Sequence, residues 1–252
     1  LARLIFLGVG DAVHPTGGTT SLLYQGTQTW LIDCGPAIAN LAFRALGHPD
    51  SLDAIWISHQ HADHCFGLPT LLLMLRLARR TKPLDVLGGP GSAATLRGLL
   101  ELGYPGAFRA GKCFPIHFRD VCPERTIRCG SIELSAARTQ HGVPCHAMRL
   151  DDLGRAICFS GDGKVSNATV DLYRDADLVV HECQFAETAN TNHCRVGDLE
   201  PLIATANVRQ LALVHCGTQE RAAIAERARA LFGARAFIPE AGDALELDRA
   251  RP

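Results

Sequence analysis

A chain of 252 residues with 47% hydrophobic content can bury a full core, and it fits one α/β domain, expected to span residues 1–252. Its formal net charge of -1 and pI near 6.9 exclude an overall basic field that would gather polyanions, so nucleic acid would have to be met by a local patch. The ten cysteines contain no C-x-x-C pair and read as reduced thiols rather than a disulfide framework.

The opening Leu1-Ala2-Arg3-Leu4-Ile5-Phe6-Leu7-Gly8 is too short an apolar run, too soon broken by glycine, to read as a signal peptide. Strands are expected at 4–9, 20–24 and 29–33, separated by glycine-bearing turns. A helix over 36–46 follows, with proline in its first turn and Gly47 closing it. Gly8-Val9-Gly10 lacks the third glycine of a dinucleotide fingerprint and is expected to be a turn.

The apolar run Ala54-Ile55-Trp56-Ile57 leads directly into Ser58-His59-Gln60-His61-Ala62-Asp63-His64, which packs four metal-capable side chains into six positions. At a strand end, alternate residues point the same way and repeat every ~6.5 Å. His59 and His61 can therefore chelate one cation from one side. Once the chain turns into a helix, Asp63 and His64 face elsewhere, toward a second cation. Zinc and similar ions prefer this imidazole and carboxylate set. A histidine-rich surface turn is the alternative, and the flanking strand and helix argue against it.

The next helix is expected at 67–80, its leucines at helical spacing. The apolar stretch 68–77 is interrupted by Arg76 and falls short of the ~20 residues needed to span a bilayer, so a cytoplasmic location is expected. Arg76, Arg79, Arg80 and Lys82 offer a phosphate patch, but a solvated helix face is the better reading. A short strand at 83–87 and the turn 88–91 precede a helix ending near residue 102. That turn lacks the Lys-Ser/Thr of a P-loop.

The second half restarts with strands at 113–118, 127–137, 146–150 and 156–160. Helices at 168–175, 199–206 and 221–232 then alternate with strands at 178–181 and 211–214. Two similar β-then-α halves suggest two sheets face to face with helices outside, a four-layer αβ/βα sandwich of the α/β class. Three of the later segments, Arg138-Thr139-Gln140-His141, Cys158-Phe159-Ser160-Gly161-Asp162 and Leu211-Ala212-Leu213-Val214-His215, read as strand ends that stop at a metal-capable residue, where they can converge with the first motif. His14, His48, His117 and His146 lack such context and read as surface or structural residues. Cys65, Cys194 and Cys216 read as small buried side chains.

The chain resembles the metallo-β-lactamase superfamily, and within it the ribonuclease Z-like phosphodiesterases. The resemblance runs from Phe6-Leu7-Gly8-Val9-Gly10 and Leu31-Ile32-Asp33-Cys34-Gly35 through the H-x-H-x-D-H motif to Gly67-Leu68-Pro69, Gly89-Pro90-Gly91, Phe159-Ser160-Gly161-Asp162, 176–182, His193 and His215. It implies the metallo-β-lactamase fold, with His59, His61 and His141 on one divalent metal, Asp63, His64 and His215 on a second, and Asp162 bridging them. Zinc is the expected metal, with manganese or iron as alternatives. His181-Glu182-Cys183 looks like the subgroup's His-Glu-Ala-Thr segment. His193 looks like the histidine that follows it, here trailed by Cys194-Arg195 instead of Ser-Thr.

Two cations ~3.5 to 4 Å apart lower the pKa of a shared water toward ~7 and so supply a nucleophile at neutral pH. In the chemistry that follows, Asp63 orients that nucleophile or takes its proton, His193 protonates the departing alkoxide, and Glu182 holds His193 in the useful tautomer or serves as a buried hydrogen-bond partner. The long arm of the tRNA-processing members has no counterpart here, since only twenty residues lie between His141 and Asp162. The expected partner is therefore a small or cyclic phosphodiester, with nucleic acid not favoured, no membrane, and a homodimer left open. The alternatives are tRNA 3′ processing, a lactonase or arylsulfatase whose pocket differs around Phe66 and the 142–144 turn, and, last, a non-catalytic binding protein.

Overall fold

An unbroken apolar run can be a strand only if both of its faces are covered, and both covers are present here. The structure is a computed structural model that describes residues 2–15, 18–123 and 125–247. Its strands are β1 Ala2–Gly8, β2 Ser21–Gln25, β3 Thr29–Ile32, β4 Ala54–Ile57, β5 Leu84–Gly88, β6 Ile116–Asp120, β7 Ile127–Cys129, β8 Ile132–Arg138, β9 His146–Asp152, β10 Arg155–Phe159, β11 Leu178–Glu182, β12 Gln210–Val214, β13 Ala236–Phe237 and β14 Ala244–Leu247. The helices are α1 Ile38–Leu46, α2 Ala62–Cys65, α3 Leu68–Leu77, α4 Ser92–Gly103, α5 Asn167–Leu172, α6 Glu200–Ala204 and α7 Arg221–Phe232.

One seven-stranded sheet runs β14-β1-β2-β3-β4-β5-β6, the other β13-β12-β11-β10-β9-β8-β7. The two-residue period of a strand divides the side chains between layers. Trp30, Ile32 and Trp56 enter the core between the sheets, where they join Leu134, Met148 and Phe159. Their neighbours Leu31, Ile55 and Ile57 point outward, against Ile38 of α1 and Leu68, Leu72 and Leu75 of α3. On the far side, Val179, Leu211 and Leu213 pack on Leu202 of α6 and Ile224 and Phe232 of α7. Each fully buried leucine or isoleucine contributes about 1.5–3 kcal/mol, so the four expected layers are held by three separate apolar seams. One polar tie also crosses between the sheets: Tyr24 Oη donates to Asp152 Oδ2 at 2.6 Å.

The structure departs from the sequence expectations at four places. The strand expected at 127–137 is a hairpin, folded at Gly130, whose φ of 61° suits a residue without Cβ. Strands β13 and β14 were not anticipated, being short and partly polar; β14 gains its strand character by antiparallel pairing with β1, from Ala2↔Leu247 to Ile5↔Ala244. Helix α3 stops at Leu77, and Arg79 turns the chain with φ 62°. Arg80 therefore leaves the expected solvated face: it is 4% exposed, and its guanidinium donates to the carbonyls of Pro49, Leu52 and Pro83. Among the described residues the cysteines form no disulfide, and no helix is long and apolar enough to cross a membrane.

Candidate metal centre

Strand β4 delivers the histidine motif to the end of the first sheet, and Asp33, just beyond β3, fixes its geometry. Asp33 takes a left-handed conformation, φ 58°, uncommon for a residue with a side chain. This turns its carboxylate under the motif. Oδ1 accepts the Ser58 amide at 2.7 Å, and Oδ2 accepts Ser58 Oγ at 2.7 Å and His64 Nδ1 at 2.6 Å. Because Ser58 Oγ gives its only proton to Asp33, it accepts from His59 Nδ1 at 3.0 Å. Both imidazoles are thereby held in the tautomer that leaves Nε2 bare, the form a cation needs. The sequence reading gave Asp33 no role; the available signal was a carboxylate closing the apolar run Trp30-Leu31-Ile32.

The second sheet supplies the rest. Beyond β8, His141 donates Nδ1 to the Asn192 carbonyl at 3.0 Å, so its Nε2 is bare and lies 3.3 Å from His61 Nδ1. His59 Nε2 is 3.0 Å from the same His61 nitrogen. Beyond β12, His215 is held at φ 56° by its amide bond to the Val9 carbonyl, 2.8 Å. Its Nε2 lies 3.4 Å from Asp162 Oδ2 and 3.5 Å from Asp63 Oδ2. His64 Nε2 is 3.3 Å from Asp162 Oδ1 and 3.1 Å from Asp63 Oδ2.

All seven expected metal residues thus come together in two groups, His59, His61, His141 and Asp162 in one, Asp63, His64, Asp162 and His215 in the other, each with ligand atoms within 4.8 Å of one another. Asp162 belongs to both. His64 Nε2, His215 Nε2 and Asp162 Oδ1 are buried without a hydrogen-bond partner, an arrangement that costs about 1–3 kcal/mol per group. Three such atoms in the second group fit a divalent cation there, and nitrogen with carboxylate oxygen, the donor set of both groups, is one that zinc, manganese and ferrous iron share.

The electrostatics agree. Burial and the neighbouring His64 push His59 down to about 2. Burial opposes charge on His215 as well, yet the Asp162 and Asp63 carboxylates beside it outweigh burial and raise it to about 9. Burial likewise works against ionisation of Asp162, and His215 and His64 overcome it, holding the carboxyl well below its usual range. Without metal, then, His64 and His215 favour the protonated form while His59 stays bare, so loading releases protons and weakens as pH falls.

Glu182 and His193 stand beside the second group. Glu182 Oε1 accepts the amides of Gly163 at 3.0 Å and Cys194 at 3.1 Å, and lies 3.2 Å from His193 Nδ1, an ion-pair separation. The His193 ring stacks on His215, centroids 5.6 Å apart and planes at 12°, and stands edge-on to His141 at 5.2 Å. A cavity of about 210 Å³ over the centre is lined by Asp11, Ala12 and Val13 as well as His61, Asp63, Asp162, Gln184, His193 and His215. Sequence reading missed the 11–13 segment and Gln184, since it is the long-range pairing of Val9 and Gly10 with His215 and Cys216 that brings that turn over the site. Phe66 is half exposed and is not among the residues lining this cavity. Changing Asp33 to Asn keeps the shape but replaces an acceptor oxygen with an amide; metal affinity is expected to fall about 10- to 100-fold, read by chelator competition.

The family model described as Anti-Pycsar protein Apyc1 matches residues 2–235. The chain belongs to that family. Among curated proteins, this Apyc1-family chain is 26% identical to the ribonuclease Z of Natronomonas pharaonis, covering 97% of each, and 28% identical to that of Haloferax volcanii, covering 97% of the chain and 95% of the relative. Both alignments run over 306 positions against 252 residues here, so those relatives carry segments that this chain lacks. Among solved structures, the metallo-β-lactamase fold protein YhfI from Bacillus subtilis superposes with a TM-score of 0.79 at 20% identity, covering 97% of this chain and 98% of that one. The short form of human tRNase Z gives 0.78 at 21%, covering 98% and 99%. A diphosphatase from the PhnP family gives 0.76 at 16%, covering 99% of each. The Apyc1-family chain thus has the metallo-β-lactamase fold, with the expected α/β sandwich, and is similar in sequence to ribonucleases Z.

Proposed function

We propose that this chain is a dinuclear metal-dependent hydrolase acting on a small or cyclic phosphodiester. The observation that carries the reading is the pair of ligand groups sharing Asp162, with His193 stacked beside them and facing the same cavity. His59, His61 and His141 would hold one cation, Asp63, His64 and His215 the other, and Asp162 both; zinc is the metal this nitrogen-rich set suits best. Two bound cations supply an activated water and neutralise charge on the phosphate oxygens.

The chain's own residues do the rest. Asp63 meets His64 and His215 through Oδ2, which leaves Oδ1 to orient water or take its proton at the cavity wall. His193 gives a proton to the leaving alkoxide. The Glu182 carboxylate lies 3.2 Å from His193 Nδ1 and orients the ring, while its two amide bonds hold the 163 and 194 loops at fixed distance.

The short path from His141 to Asp162 supports a small substrate. It is used up by β9 and β10, antiparallel and joined by Leu153 and Gly154 at φ 52° and 76°, so no arm emerges there. Cytoplasmic residence and a single domain belong to the same reading. The second reading, tRNA 3′ processing, draws on the names of the curated relatives. One assay separates them: an activated small phosphodiester is expected to turn over, whereas a tRNA precursor at physiological salt is expected to bind weakly and be cleaved poorly. Efficient site-specific 3′ cleavage of the precursor would restore the tRNA reading. Turnover of a lactone or sulfate ester in preference to the diester would move the activity to that class.

A further inference from the structure

Six carboxylates are buried among the described residues, Asp11, Asp33, Asp63, Asp152, Asp162 and Glu182, and five of them already have a task. Asp33 holds the histidine motif, Asp63 and Asp162 belong to the ligand groups, Asp152 accepts from Tyr24 and Thr27, and Glu182 accepts two amides beside His193. Asp11 is left over. It is 5% exposed, it stands outside the ligand groups, and among the described residues it has no ion-pair partner. The bond its side chain makes comes from its own turn, the Val13 amide to Oδ1 at 3.1 Å. A buried carboxylate satisfied by so little is unusual, because an ionised group out of water needs compensating donors.

The missing donor has to come from the cavity. Asp11 lines the space of about 210 Å³ over the centre together with Asp63, Asp162, His193 and His215. Its backbone is pinned there: the Val9 carbonyl accepts the His215 amide at 2.8 Å, Gly10 bridges to Thr19 and Cys216, and the Gly10 carbonyl accepts the Thr20 amide at 2.9 Å and Oγ1 at 3.0 Å. A Cβ at Gly10 would lie 2.3 Å from Cβ of His14, so the turn admits no side chain at that point. An ionised carboxylate accepts and cannot donate, and it repels the oxygens of a phosphodiester bound beside it. Within so small a cavity, the donor that a phosphodiester can bring to Asp11 is a hydroxyl on the carbon next to the one bearing the ester oxygen.

We propose that Asp11 is a specificity residue that accepts a hydrogen bond from such a vicinal hydroxyl, as the ribose 2′-hydroxyl stands beside a 3′-phosphate, so that ribose diesters are preferred to their deoxy counterparts. The proposal rests on the phosphodiesterase reading and deepens it. Calorimetry on the metal-loaded protein tests it with adenosine 3′-phosphate and 2′-deoxyadenosine 3′-phosphate, neither of which contains a diester. The ribose ligand is expected to bind about tenfold or more tightly, as for a hydrogen bond to a charged group. Asp11→Asn keeps an oxygen for the Val13 amide but turns an N–H toward the cavity, and Asp11→Ala removes both groups. At unchanged metal content each variant should bring the two affinities together by weakening the ribose ligand and sparing the deoxy one. A role confined to shaping the turn would weaken both ligands alike and leave their ratio intact. Equal affinities in the unaltered protein, or a ratio that survives both variants, would overturn the assignment. Turnover of bis(4-nitrophenyl) phosphate, which has no hydroxyl, is measured in parallel. Ribose-selective binding without turnover would sink the phosphodiesterase reading and keep the Asp11 contact, whereas turnover with equal affinities would sink the contact alone.

Discussion

Asp162→Ala is expected to strip both metals from the protein together and reduce hydrolysis to background. The unaltered protein should carry about two ions per chain, because seven residues divide into two ligand groups that share this one carboxylate. Removing it takes an anionic oxygen from each cation and leaves the facing His64 and His215 nitrogens, already raised by that carboxylate, with less reason to hold either a proton or a metal. His141→Ala, which touches one group only, should instead lose the first ion and retain part of the second. Elemental analysis reads both outcomes. One ion or none in unchelated wild-type protein after resupply would count against the dinuclear assignment, and so would full retention of one ion by Asp162→Ala.

His193→Ala should slow hydrolysis of an alkyl phosphodiester by ~10²- to 10⁴-fold, the span typical of a lost general acid. A basic alkoxide cannot leave without a proton, whereas nitrophenolate departs unaided. The same variant is therefore expected to keep far more of its activity on a nitrophenyl diester. The comparison requires unchanged metal content, because His193 stacks on the ligand His215. Equal losses on the two substrates at full metal loading would assign His193 to phosphate binding or to support of that ligand, and the proton-donor role would fall.

Legibility followed the range of the interactions involved. His59, His61, Asp63 and His64 could be placed from sequence because strand and helix geometry over six residues is local. His141, Asp162 and His215 were readable as metal-capable residues closing apolar strands, but their division between two ions came from the resemblance to a family. Asp33 was not legible: its role depends on a left-handed turn and on contacts 25 and 31 residues away. Strand β14 escaped for a similar reason, since its strand character comes from pairing with β1, near the other end of the chain. Arg80 was misread because a charge at the end of a helix ordinarily faces water, and only the backbone reversal at Arg79 turns it onto buried carbonyls.

The division of the ligands between the two sheets has a mechanical consequence. His59, His61, Asp63 and His64 hang from the end of β4, in the first sheet, while His141, Asp162 and His215 extend from β8, β10 and β12 of the second. An ion bound by either group would therefore be a rivet through the sandwich, closing loops of tens to more than a hundred residues in the unfolded chain. A cation held a hundredfold above its dissociation constant adds about 2.7 kcal/mol to the folded state, comparable to burying one large apolar side chain in the seam between the sheets. A sheet interface weakened in its core would thus be held shut by the ions proposed to perform the chemistry, and a chelator would loosen the sandwich as well as empty the proposed site.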